Sequence, residues 1–161
     1  MERIILEEDL VQAVQIVLDG LNGIDKLYDL QQQVMRILVS DNCSLFLTAP
    51  TSSGKTLPPV ILPSVLKALH YIGYSDLPVN GRVLFITAMN SIQLSLYTSM
   101  IKLGINCVVI KKDNVDDILN VQIPVLFISP ETLKHRDVTK YLLQVRQNFV
   151  LAVIDEAHLG K

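Results

Sequence analysis

The chain has no tryptophan, only two cysteines, and no marked excess of either charge. Fourteen Lys and Arg stand against sixteen Asp and Glu, giving a net charge of −2. No global basic footprint therefore advertises a polyanionic partner, although backbone amides and hydroxyls along one edge could still track a strand. Cys43 and Cys107 both lie in apolar, strand-like surroundings. That pattern fits buried reduced thiols better than a disulfide or a metal pair. No apolar run approaches the roughly 18 residues that a membrane-spanning helix needs, so no membrane partner is expected. The N-terminus turns acidic at Glu7, Glu8 and Asp9 after a short apolar patch, unlike a secretory signal or a transit peptide. An intracellular protein of nucleus or cytoplasm is expected. Internal repeats, low-complexity tracts and linkers are also lacking.

Apolar material, by contrast, is abundant. Half of the 161 residues are hydrophobic and mean hydropathy is +0.38. A chain of this length can bury roughly two-thirds of its unfolded surface. Leu10, Val11, Val14, Val17 and Leu18 form the stripe of an amphipathic helix over 7–18, closed by glycines at 20 and 23. A second helix is predicted over 30–39, with Leu30, Val34, Ile37 and Leu38 inward. Runs at 44–48, 82–87, 106–110, 125–129 and 149–154 are apolar almost throughout, as parallel strands covered on both faces are. Helices are predicted between them at 55–70, 91–103, 114–120 and 131–147, and a surface loop at 74–81. Pro58 and Pro59 fall in a first helical turn, where a missing amide is tolerated, whereas Pro63 should kink that helix. This alternation predicts an α/β fold, a mostly parallel, doubly wound sheet with helices on both faces and an active edge at the strand C-termini.

Two segments carry chemistry. The first, Ala49-Pro50-Thr51-Ser52-Ser53-Gly54-Lys55-Thr56, follows an apolar strand and opens a helix. In such a loop successive backbone amides wrap a phosphate and the helix adds its positive end. Gly54 permits the tight wrap, Lys55 sets an ammonium against β and γ oxygens, and the Thr56 hydroxyl suits Mg²⁺. Thr51, Ser52 and Ser53 supply further amides. The second, Asp155-Glu156-Ala157-His158, follows the last apolar strand. Asp155 there can hold Mg²⁺ through water, and Glu156 can polarise an attacking water as general base. Together the segments imply a P-loop NTPase that binds a nucleoside triphosphate with Mg²⁺, with Lys55, Asp155 and Glu156 as its catalytic groups.

The pair of segments resembles the first motor lobe of a superfamily 2 helicase. Phe85 to Ile92 with Gln93 resembles the family's motif Ia, a strand end that touches nucleic-acid backbone. Leu126 to Leu133, with Ser129-Pro130-Glu131 at its centre, resembles the corresponding segment of RecQ-like DEAH-box helicases. Leu27 to Gln33 resembles their motif 0, in which a glutamine reads adenine. Gln31 fits that spacing best and Gln32 nearly as well. Tyr28-Asp29 departs from the motif's usual start, and the segment at 87–91 lacks the "PTREL" of DEAD-box RNA helicases.

The resemblance implies a RecA-like lobe over 27–161, preceded by a helical lead-in at 1–26. It further implies single-stranded DNA as partner, with RNA as the alternative, touched by Thr87, Asn90, Ser129 and Pro130. His158 would relay between the ATP site and the strand. The chain stops three residues beyond His158, from which an incomplete motor truncated after the DEAH box is expected, weak in hydrolysis without a second RecA-like lobe. A non-catalytic nucleotide- or strand-binding module and an unrelated P-loop ATPase are the alternatives.

Overall fold

A computed structural model of the chain describes residues 4–40, 56–87 and 91–154. It divides into two compact units, residues 1–79 and 80–161.

The first unit is helical: α1 (Glu7–Asp19), α2 (Asp29–Ser40) and α3 (Leu57–Ile72). At its centre is α3, which packs against both of the others. Its residues from Leu57 to Pro63 are all buried, with Val65, Leu66 and Leu69 below them. A helix apolar around its whole circumference is one enclosed by its neighbours. Pro58 and Pro59 sit in the first turn as expected, and α3 continues through Pro63 to Ile72. The stripes of the other two helices differ from expectation. On α1, Leu10, Ala13 and Leu18 are buried while Val11 faces solvent. On α2 the buried set is Gln31, Val34, Met35 and Val39, a face rotated toward Gln31 because that side chain closes the helix start.

Polar ties fasten α1. Arg36 donates to Glu7 through Nε (2.9 Å) and Nη2 (2.5 Å), and Tyr74 donates to Asp9 (2.6 Å) while accepting from the Leu6 amide (3.0 Å). The bond to Asp9 holds the Tyr74 hydroxyl above the usual tyrosine range. The loop at 74–81 is present as predicted, pinned by Leu77, which is buried and accepts from His70 Nδ1 (2.8 Å).

The second unit contains the sheet. In chain order come β1 (Arg82–Ile86), α4 (Ser91–Leu103), β2 (Cys107–Val109), α5 (Val115–Leu119), β3 (Val125–Ile128), α6 (Pro130–Leu133), α7 (Arg136–Gln144), a 3-10 turn (Arg146–Asn148) and β4 (Phe149–Ile154). The four described strands are ordered β2-β3-β1-β4, and every pairing is parallel. The chain moves one way from β1 to β2 and the other way from β2 to β3 and from β3 to β4. Right-handed crossovers then put α4 on one face of the sheet and α5 and α7 on the other. Side chains alternate to match. Leu126 and Ile128 join Val115, Ile118, Val138 and Leu142 in one apolar cluster, with Leu84 and Ile86 against it. Val83, Phe85, Cys107, Val125 and Phe127 are buried on the opposite face. Burial there pushes the Cys107 thiol up to about 11, so it stays protonated and unreactive at neutral pH.

Two helices end alike. Tyr74 N bonds Leu69 O and Gly73 N bonds His70 O, while Ile105 N bonds Met100 O and Gly104 N bonds Ile101 O. Gly73 (φ 149°) and Gly104 (φ 89°) adopt the positive φ that this Schellman closure requires.

Two expectations for this unit need correction. The single helix predicted over 131–147 is instead α6, α7 and a 3-10 turn. Its break is at His135, which is extended (ψ 130°), and the Thr139 hydroxyl donates to the Leu133 carbonyl (2.7 Å) that a continuous helix would have used. The last strand was expected to be buried throughout, yet among the described residues β4 is at most half-buried and Ile154 is 61 % exposed. The strand predicted at 44–48, with Cys43, lies outside the described residues.

Candidate functional site

At the C-terminal edge of the sheet β1 and β3 end in register, Ile86 beside Ile128, and the next residues are Thr87 and Ser129. The Thr87 amide donates to the Ile128 carbonyl (2.9 Å), which extends the ladder by one rung. Two of the residues expected to touch nucleic acid are thus neighbours, and exposed Pro130 follows directly. Asn90 lies outside the described residues.

The two hydroxyls have different surroundings. Ser129 is fully buried; its Oγ donates to Thr132 Oγ1 (2.9 Å) and accepts from the Thr132 amide (3.1 Å), capping α6. Pro130 suits the first position of that helix because it has no amide to satisfy. Thr87 is 1 % exposed, and its Oγ1 has no hydrogen-bond partner among the described residues. Its carbonyl accepts from Gln93 Nε2 (3.1 Å), a buried side chain that fastens α4 to the strand tip. Thr132 and the anchoring by Gln93 are roles that motif reading did not supply. A serine directly before a proline is the N-cap signal that could have pointed to the first.

On the other side of β1, Ile86 pairs with Ile154, the last residue of β4. The chain continues from there into Asp155, Glu156 and His158, which lie outside the described residues, as do Thr51, Ser52, Ser53, Gly54 and Lys55. Thr56 is described. It is half-buried at the N-cap of α3, and its side chain makes no capping bond to the helix. A hydroxyl at a helix N-terminus that the helix does not use fits a magnesium–phosphate ligand.

Gln31 stands at the third position of α2, where its Oε1 accepts from the Tyr28 amide (2.8 Å). Gln32 Nε2 donates to the Leu27 carbonyl (3.0 Å). Both glutamines therefore order the start of α2, Gln31 as the reaching-back half of a capping box and Gln32 through a backbone carbonyl. Among the described residues no group of three His, Cys, Asp or Glu side chains could hold a metal ion.

The family model for the DEAD/DEAH box helicase matches residues 28–160. The chain belongs to this family. It is a superfamily 2 helicase domain, and its parallel sheet with interleaved helices is a RecA-like α/β fold. Membership places it among the ATP-hydrolysing, nucleic-acid-handling helicases. No curated protein matched the chain. No helix among the described residues is long and apolar enough to cross a membrane.

Proposed function

We propose that the chain is the ATP-binding first lobe of a RecQ-like, ATP-dependent DNA helicase, which couples hydrolysis to movement along single strands. The lobe begins near residue 27, with the segment before it as a helical lead-in. The observation that carries the reading is the sheet edge. Thr87 and Ser129 lie side by side at adjacent strand ends, and β4, next to them, leads straight into an Asp-Glu-Ala-His segment. In a parallel α/β sheet that edge is where ligands bind.

In this reading Lys55, Thr56 and the amides of 51–54 hold the triphosphate, and Thr56 with Asp155 holds magnesium. Bound MgATP supplies the phosphoanhydride and the charge-neutralising ion. Glu156 accepts the proton of the attacking water, and His158 connects the site to the strand track. Gln31, at the start of α2, selects adenine. An arginine finger from a second lobe raises hydrolysis by about 10³ to 10⁵ in P-loop enzymes, so the lobe alone turns over slowly. DNA is preferred over RNA because 126–133 follows the RecQ-like pattern and 87–91 lacks the DEAD-box one.

Two variants test this. Lys55→Ala should abolish MgATP binding in equilibrium dialysis, and Glu156→Gln should keep binding but lose turnover. Normal nucleotide binding by Lys55→Ala would refute the phosphate-loop assignment. Wild-type chain should also retain single-stranded DNA on a filter in a salt-dependent way, and equal retention of single-stranded RNA would remove the DNA preference.

A further inference from the structure

The outer side of α7 and the 3-10 turn after it form an open hollow of ≈ 790 Å³, lined by Arg136, Lys140, Arg146, Gln144 and Gln147 together with Thr139 and the exposed Leu143, and by no acidic side chain. The whole chain is slightly acidic, yet the stretch 134–146 contains four of its fourteen Lys and Arg and a single acid, Asp137. That acid belongs to another side of the helix. It acts on the Tyr141 hydroxyl, which bonds to Asp116 of α5, and Tyr141 packs toward the apolar cluster. Val138 and Leu142 face the same cluster and fix which side of α7 is outermost. Arg136, Lys140 and Arg146 are exposed, and none has an ion-pair partner among the described residues. A like-charge pair one turn apart is unfavourable in an isolated helix, so Arg136 and Lys140 do not stabilise α7 through each other.

We propose that this face is a second nucleic-acid contact, separate from the sheet edge, which holds the phosphate backbone of double-stranded DNA. The inference rests on the helicase reading. Arg136 and Lys140 are about 6 Å apart along the helix axis, since each residue rises 1.5 Å. They present two cations in a row, and Arg146 continues the row past the helix end. Gln144 and Gln147 add neutral donors suited to phosphate oxygens. Many sequence-independent single-strand sites add exposed aromatic rings on which bases stack. This face has no exposed aromatic ring, since its neighbour Tyr141 is half-buried. A row of cations without a stacking platform suits the phosphate backbone of a duplex, whose base faces are not free to stack.

The test compares the full chain with Arg136→Gln/Lys140→Gln and with Arg136→Glu/Lys140→Glu. Binding to a short labelled blunt duplex and to one of its strands is read by fluorescence anisotropy over a salt series. Circular dichroism and MgATP binding are followed in parallel. The Gln pair should bind duplex about tenfold more weakly at low salt, with a log K against log[salt] slope shallower by about 0.9 for each phosphate no longer neutralised. The Glu pair should weaken binding further, and single-strand affinity should change by less than twofold in both. Wild-type duplex affinity and slope in folded variants would overturn the α7 site while leaving the helicase reading intact. A wild-type chain that binds MgATP but neither form of DNA would overturn both.

Discussion

Thr87 and Ser129 end adjacent strands one rung beyond the same register, and both are buried, yet only one is used. Ser129 gives its hydroxyl to Thr132 twice over and so starts a helix. Thr87 keeps an Oγ1 with no partner among the described residues, at a strand tip whose carbonyl is fastened by Gln93. Leaving a buried hydroxyl unsatisfied costs about 1–3 kcal/mol. A fold that already accepts this cost loses nothing further if a ligand later takes the bond. Ser129 is thus a structural cap that lies where the proposed contact would fall, and Thr87 beside it holds an idle, buried hydroxyl.

The comparison can be broken most severely from below. Phe85 and Phe127, two residues beneath the two hydroxyls, are in ring contact with centroids 5.6 Å apart. Phe127→Ala should cost about 3–5 kcal/mol in urea unfolding and impair both tips together. Ser129→Ala removes the cap and strands the Thr132 amide, and should cost about 1–2 kcal/mol. Thr87→Val keeps the shape and deletes only the idle hydroxyl. Its stability should stay within about 0.5 kcal/mol of wild type or rise, while affinity for single-stranded DNA falls several-fold. A large loss of stability in Thr87→Val would erase the distinction.

The smallest effect belongs to a polar tie on the surface. The Glu7 carboxyl is held below its ordinary range by the hydrogen bonds from Arg36. A lowered folded pKa means that the contribution is complete above the unfolded carboxylate range and is lost as pH falls through the folded value. Both side chains are about half exposed, so solvent and salt screen the pair. The melting temperature of Glu7→Gln should fall just below that of wild type at neutral pH, and the gap should close below about pH 4.

Strands were legible in the sequence wherever both faces are covered. The runs at 82–87, 106–110 and 125–129 differ from β1, β2 and β3 by a residue or so at their ends, because a strand without a polar face has only one reading. The same logic misjudged β4, whose apolar composition matches β3 while its exposure does not. Composition reports what a residue tolerates, and neighbours decide what it receives. Helix faces failed for a related reason. Gln31 turned α2 by spending a polar side chain inside, which a stripe drawn only through apolar residues misses. The broken helix at 130–144 was hidden because its breaker, His135, is neither glycine nor proline. At the site, the motifs located the strand tips, but they could not tell a hydroxyl at work as a cap from one left idle.

The strand order has a consequence for how the chain comes to be folded. β3 lies between β2 and β1 in the sheet, although it follows both in the chain. While a ribosome is still short of Val125, neither earlier strand has a lateral partner among the described strands. Among the described strands two apolar ribbons then wait without partners, and bare strand edges are where nascent chains stick to one another. Assembly of this sheet is a late event that hinges on four residues, Val125 to Ile128, sliding into a gap.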